Sequence, residues 1–178
     1  MKCGEMLEAG IIELAPHSKY ASAAVVAAKK GPDGQWTDKR FCIDLRNINL
    51  ITAQGHSYMP VADQLFRDFS FFSKIDMRSG FFQLLFDDDT KDLPSFGWNG
   101  TLYRFRRAPF GLRQLPAKFC GVMLQQLQQA GLMGCTKCYV DDIVVHSRTA
   151  AEHIQHIRQV LDMLVACSLK AHPEKVCL

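Results

Sequence analysis

The sequence predicts an α+β fold in which two long helices pack on one face of a small antiparallel sheet. Three observations predict it. Residues 114–130 and 150–167 carry apolar side chains at helical spacing, short β-rich runs precede and separate them, and an antiparallel hairpin spans 138–145 between the two helices.

Taken in order, residues 5–9 suit a short helix, and 21–29 and 40–44 read as strands around a turn rich in Gly, Pro and Asp at 31–34. Pro60 fits the first turn of a helix through Asp68. The aromatic-rich runs 71–75 and 81–86 are strand candidates on either side of Asp76-Met77-Arg78-Ser79-Gly80. The first long helix, 114–130, carries Leu115, Phe119, Val122, Met123, Leu127 and Ala130 and is closed by Gly131. Runs 138–140 and 143–145 form a hairpin around Asp141-Asp142. The helix 150–167 places Ile154, Ile157, Leu161, Leu164 and Val165 on one side.

Composition narrows the class. The 178 residues are 48% apolar, 22% charged and 10% aromatic, which excludes a mainly disordered chain. No apolar run is long enough for a membrane helix, and Glu5 and Glu8 break any signal-peptide core, so the expectation is a protein that is neither secreted nor bound to a membrane. Seven cysteines at irregular spacing suit free thiols in a reducing compartment. The net charge of +3 is modest, but 93–140 contains no acidic residue while holding Arg104, Arg106, Arg107, Arg113, Lys118 and Lys137. That basic stretch ends on Asp141-Asp142.

The sharpest feature is Tyr139-Val140-Asp141-Asp142 between two apolar strand runs. A tight turn lets both carboxylates lie at the hairpin tip, where they repel unless a cation or proton intervenes, and hard oxygen ligands of this kind suit Mg²⁺. Read alone, the pair is equally well explained by the frequency of Asp in turns. Asp76 is the natural third ligand because it emerges at the end of the strand 71–75, although a capping Asp is the plainer reading. Three carboxylates around two metals about 3.5–4 Å apart would be equipped for in-line phosphoryl or nucleotidyl transfer.

Tyr139-Val140-Asp141-Asp142 resembles the YxDD box of reverse transcriptases, and Lys74-Ile75-Asp76-Met77-Arg78-Ser79-Gly80-Phe81 resembles their first catalytic box as found in gypsy-type LTR retrotransposons. Ala108-Pro109-Phe110-Gly111-Leu112 with Pro116-Ala117-Lys118-Phe119 is similar to the family's PFGL box and the helix after it. The run Arg40 to Asn49 resembles the fingers segment, and Gly10-Ile11-Ile12 and Tyr20-Ala21-Ser22 match the start of the fingers. The five boxes stand in family order along nearly the whole chain.

The resemblance implies a polymerase palm, a ferredoxin-like antiparallel sheet with helices on one face, plus a fingers subdomain. It assigns fingers to 1–69 and about 87–113 and palm to 70–86 and about 114–178, with thumb, connection and ribonuclease H parts absent. It implies Asp76, Asp141 and Asp142 as catalytic metal ligands for Mg²⁺, Asp76 and Asp141 foremost as direct ligands of both ions, with Mn²⁺ as a substitute. Lys30, Arg40, Met77, Phe81, Phe110 and Gly111 are implied dNTP contacts, with Phe81 as the ring that excludes a ribose 2′-hydroxyl. Arg46, Asn49 and Tyr139 are implied template or primer contacts, and Lys175 a general acid for the leaving pyrophosphate. The implied partners are an RNA or DNA template with primer, dNTPs and other parts of a retroelement polyprotein, in cytoplasmic particles or the nucleus. The fingers hairpin is longer than usual between Trp36 and Arg40, and Cys120 replaces a usual Gln.

Other readings stand beside this one. A non-catalytic nucleic-acid-binding remnant of a decayed element would keep the same fold and basic surface. An RNA-copying RNA polymerase shares the palm, but Phe81 disfavours it. Cys135, Cys138, His153 and His156 mimic a zinc finger, yet finger histidines are spaced more widely, and Cys135 and Cys138 would face opposite sides of a strand.

Overall fold

The computed structural model describes residues 3–30, 34–52 and 69–177, with the side chains of 27–30 and 36–40 excepted. Two compact units emerge, Met1–Gln54 with Leu84–Leu115, and Gly55–Gln83 with Pro116–Leu178. Each is described separately.

The first unit is a five-stranded mixed sheet in the order β1-β6-β5-β2-β3. Its strands are β1 (Ile12–Leu14), β2 (Ser22–Lys30), β3 (Trp36–Ile43), β5 (Ser95–Trp98) and β6 (Thr101–Phe105), with β4 assigned below. β2 and β3 pair antiparallel, with a register shift at Ala28/Lys29, whereas β2 and β5 pair in parallel. β5 and β6 form a tight hairpin over Asn99-Gly100, both at positive φ (48° and 75°), the conformation that an Asn-Gly pair adopts readily. Helices α1 (Cys3–Glu8) and α2 (Arg46–Ile51) flank the sheet in sequence, and Met6, Ile12, Ile48, Phe96 and Phe105 are buried.

The second unit is the α+β layer that the sequence predicts. Strands β4 (Phe71–Asp76), β7 (Thr136–Tyr139) and β8 (Asp142–Ser147) form an antiparallel sheet in the order β4-β8-β7. Helix α3 (Leu115–Gln129) has Pro116 in its first turn and ends before Gly131 at φ 72°. Helix α4 (Ala150–Ala166) starts on a capping box between Thr149 and Glu152 and packs on β4 and β8. Ile75, Phe119, Met123, Ile143, Val145 and Val160 form the fully buried centre.

Several expectations change. Residues 81–86 are not a strand: Ser79 turns at φ 50°, and Gly80–Gln83 form a single 3₁₀ turn. Aromatic content suggested a strand there, but without period-2 alternation it carries no strand geometry. The buried face of α4 is His153, Val160, Met163 and Leu164, whereas Ile154, Leu161 and Val165 are exposed. The periodicity is helical as expected, rotated by one position, because the Ser73 and Ser147 hydroxyls hold the polar His153 inside (2.7 and 2.8 Å). Strands β1, β5 and β6 and helix α2 extend the predicted element list, and the proposed helix 60–68 lies outside the described residues. All seven cysteines are free. No helix among the described residues is long and apolar enough to cross a membrane.

One feature of this unit responds to acid. His146 is buried against Phe69 with neither ring nitrogen hydrogen-bonded. Burial, followed by Lys137, His156 and His153, holds its pKa below 6.5. The unfolded chain therefore binds a proton first, so stability is full above pH 6.5 and falls as pH drops below it. Thermal melting followed between pH 7 and pH 5 should show Tm falling by about 2–4 °C for each kcal/mol lost. His146→Phe should flatten that slope, with the remainder coming from His153, whose pKa is also lowered by burial.

Candidate active site

Strand pairing in the second unit is sufficient to bring the acidic residues together. β4 and β8 run antiparallel with Asp76 directly opposite Asp142, and β7 and β8 with Tyr139 directly opposite Asp142. Cross-strand partners share a face, so Tyr139, Asp142 and Asp76 form one row across three strands. The Met77 N–H donates to the Asp141 carbonyl at 3.1 Å. That bond makes Met77 and Asp141 a hydrogen-bonded pair, so its neighbour, Asp76 with Asp142, is a close non-hydrogen-bonded pair with Cα atoms about 4.5 Å apart.

The hairpin differs by one residue from the sequence expectation. Its two-residue loop is Val140-Asp141, and Asp142 is the first residue of β8 rather than part of the tip. Positive φ at the first loop position alone, Val140 at 55°, is the type II′ pattern that normally calls for glycine. A β-branched residue there costs about 1–3 kcal/mol, which the surrounding bonds must hold in place. They include the Met77 bond to Asp141 and the Cys138 thiol, which donates to the Val140 carbonyl at 3.7 Å. Burial, then the neighbouring Cys120, Asp141 and Asp142, push the Cys138 thiol pKa far up, so it stays protonated.

Gly80 supplies the remaining space. A Cβ at this position would lie 3.2 Å from the Phe119 ring and 3.3 Å from Asp141 Cβ. The segment after α4 closes the other side of β4: Lys74 and Cys177 exchange backbone bonds (2.8 and 3.0 Å), and His172 N–H donates to the Asp76 carbonyl at 2.8 Å. This ribbon carries Lys175, whose Nζ is 3.6 Å from Asp76 Oδ1. On β4, the Lys74 ammonium lies 2.7 Å from Asp142 Oδ2, and its pKa is raised chiefly by that hydrogen bond and less by the charges of Asp142, Asp76 and Asp141. Among the described residues no three His, Cys, Asp or Glu side chains stand ready to hold a metal. Each of the two facing carboxylates instead has its own lysine.

The other predicted residues of this unit are placed as follows. Phe81 packs edge-on against Phe119, with centroids 5.7 Å apart. Tyr139 is half exposed, while the Met77 side chain is buried and its N–H is committed to Asp141. In the first unit, Lys30 and Arg40 lie on paired strands, with side chains outside the described set. Arg46 is held by a double hydrogen bond to Asp44, whose pKa that contact lowers to about 2. Asn49 uses both ends of its amide on the loop after Phe110: Nδ2 donates to Gly111 O (2.7 Å), and Oδ1 accepts from Arg113 N–H (2.9 Å). Gly111 sits at φ 104°, and Phe110 is exposed. Arg104 pairs with Glu13 and Asp92, so part of the basic stretch is spent on ion pairs.

Sequence reasoning missed Lys74 and Gly80 as site residues. Period-2 alternation along β4, which puts positions 74 and 76 on one face, was the available signal for the first. For the second, Gly80→Ala should lower stability by about 1–3 kcal/mol through overpacking against Phe119 and Asp141. Gly121→Ala, in α3 with nothing within 4 Å, should raise it by about 0.5–1 kcal/mol. Paired denaturant melts would read both signs.

Comparison with known proteins gives the family and the fold. Residues 28–178 match the family described as reverse transcriptase (RNA-dependent DNA polymerase). The Pol polyprotein of the Drosophila melanogaster transposon gypsy is 31% identical over 175 residues, covering 96% of this chain and 17% of the polyprotein. The Pol polyprotein of transposon 297 from the same species is 33% identical over 175 residues, covering 96% of this chain and 16% of its own length. The chain thus spans less than a fifth of either relative. Among solved structures, foamy viral protease-reverse transcriptase in complex with dsDNA superposes with a TM-score of 0.79 at 22% identity, over 98% of this chain and 36% of that one. The same viral protein with an RNA/DNA hybrid gives 0.77 at 22% identity, over 98% and 23%. The α+β fold is that of these enzymes, and by sequence the chain belongs to the reverse transcriptase family.

Proposed function

We propose that the chain is the fingers and palm of a gypsy-type retrotransposon RNA-directed DNA polymerase, which adds dNTPs to a primer 3′-hydroxyl on an RNA or DNA template. The carrying observation is the direct opposition of Asp76 and Asp142, with Asp141 in the adjoining two-residue turn, in a member of this family. The second unit is assigned to the palm and the first to the fingers. Polyprotein relatives support further parts of such a polyprotein as partners, and cytoplasmic particles or the nucleus are the proposed locations.

The donor set fits a hard divalent ion. Carboxylate oxygens from Asp76, Asp141 and Asp142 are the ligands that Mg²⁺ prefers, with Mn²⁺ a substitute, and two of the three acids already have ammonium partners. When bound, a pair of such ions would favour deprotonation of the primer hydroxyl and neutralise charge on the phosphates. The reaction joins the primer 3′-oxygen to the α-phosphorus and breaks the bond to pyrophosphate.

The chain's own residues supply the rest. Lys175, 3.6 Å from Asp76, is the assigned donor of a proton to the departing pyrophosphate. The Phe81 ring, braced by Phe119, would collide with a ribose 2′-hydroxyl, and the buried Met77 contributes through the backbone bond that holds Asp141. Tyr139, exposed beside Asp142, suits a primer contact. In the first unit, Lys30 and Arg40 are the assigned triphosphate contacts, Phe110 and Gly111 further assigned nucleotide contacts, and Arg46 an assigned template contact. Asn49 serves the same region by fixing the Gly111 loop. Binding of template and primer should weaken steeply with added salt.

Primer extension with Mg²⁺ tests the reading. The protein should extend with dNTPs, and Asp141→Asn should lose about 10²–10³-fold or more in rate, the cost of removing one charge-stabilising group. Phe81→Ala should raise rNTP use relative to dNTP by about tenfold or more. Retained template binding with no extension by the unaltered protein would overturn the proposal in favour of a non-catalytic remnant.

A further inference from the structure

We propose that Lys74 is a built-in counter-cation of the carboxylate site, holding Asp142 in the metal-free protein and releasing it when a divalent ion binds. The inference rests on the metal-binding reading of Asp76, Asp141 and Asp142.

Opposed like charges on neighbouring strands destabilise a sheet, and Asp76 and Asp142 occupy the closer of the two kinds of cross-strand pair. A protein that must fold before it meets metal needs another source of positive charge at that point. β4 supplies it from within its own alternation. Positions 74 and 76 share a face, so the Lys74 side chain rises beside Asp76 and reaches diagonally across to Asp142, 2.7 Å away. Val144, the cross-strand partner of Lys74, offers no competing charge.

The pair is also built to let go. The Lys74 side chain is 49% exposed and that of Asp142 24%, so water can receive the ammonium as the carboxylate turns to another ligand. A pair this open is weak, worth about 1.5- to 5-fold in an equilibrium constant, whereas a divalent ion meets three carboxylates at once. Lysine suits the task better than arginine as a compact, well-hydrated charge on a flexible stem with no bidentate grip on the acid. Lys175 stands in the looser relation to Asp76, at 3.6 Å.

Direct titration with Mn²⁺ alone, read by the electron paramagnetic resonance of the free ion, tests the idea on the whole chain without nucleotide or primer. Lys74→Gln should bind Mn²⁺ about 1.5- to 5-fold more tightly than the unaltered protein. A purely structural role for Lys74 would instead weaken binding. Lys74→Arg, which keeps the charge and can grip Asp142 with two donors, should bind Mn²⁺ no more tightly than the unaltered protein, and provides a folded comparison if the Gln variant is unstable. In an Asp142→Asn background, Lys74→Gln should change the affinity little, because the pair is already gone. Unchanged or weaker binding in Lys74→Gln, or equal tightening with and without Asp142, overturns the counter-cation role while leaving the metal site intact, provided that Asp76→Asn still abolishes binding. Mn²⁺ binding indifferent to Asp76→Asn overturns the metal reading and this inference together.

Discussion

Electrostatic repulsion between Asp76 and Asp142, set face to face by the β4–β8 register, is the constraint around which the second unit is arranged. The central sheet has hydrophobic residues such as Ile75, Ile143 and Val145 just behind the pair, so the strands cannot separate to relieve it. Relief comes from charge. Lys74 reaches up from one strand, and the ribbon following α4 returns along β4 to deliver Lys175. The backbone meets the same demand from the other side. A two-residue turn forces Val140 into a left-handed conformation and thereby keeps Asp141 beside the pair, pinned by the Met77 N–H and fitted into the space that Gly80 leaves. Acidic side chains crowded together in this way repel one another unless a cation or proton intervenes, which makes them costly to assemble.

Much of this arrangement could be read before any coordinates. The two long helices, the hairpin between them and the strand leading to Asp76 follow from periodicity and turn chemistry, and their ends fall within a few residues of the observed ones. The failures share a cause. In 81–86 composition stood in for pattern, and on α4 the count of apolar residues overlooked a histidine that two serine hydroxyls hold in the core. For strands β5 and β6 the sequence signal is the Asn99-Gly100 pair, the residues of their tight turn. At the site, residue types pointed to the three acids, but which of them face each other depends on register, and a shift of one residue moved Asp142 from the turn into the strand.

The first unit qualifies the simple view of a basic surface. Along 93–140 the sequence holds only positive charge, yet Arg104 bonds Glu13 and Asp92 and so ties β6 to β1 and to the preceding loop. Asn49 is another residue whose polar atoms turn inward: its amide binds α2 to the loop around Gly111, where a φ of 104° favours glycine. Nucleic-acid contact and internal scaffolding draw on the same residue types, and sequence alone does not separate them.

The path of the chain has a consequence for biogenesis. Each unit is assembled from two separated stretches, and the parallel partner of β2 is not synthesised until the first stretch of the other unit has passed. Until β5 is made, β3 is the only strand partner available to β2, and in the finished sheet β5 pairs only with Ser22 and Ala23, so Val25 and Val26 stay exposed. Any uninterrupted fragment that holds the whole of one unit also carries a stretch of the other, so neither can be isolated free of its neighbour's residues by trimming the ends of the polypeptide.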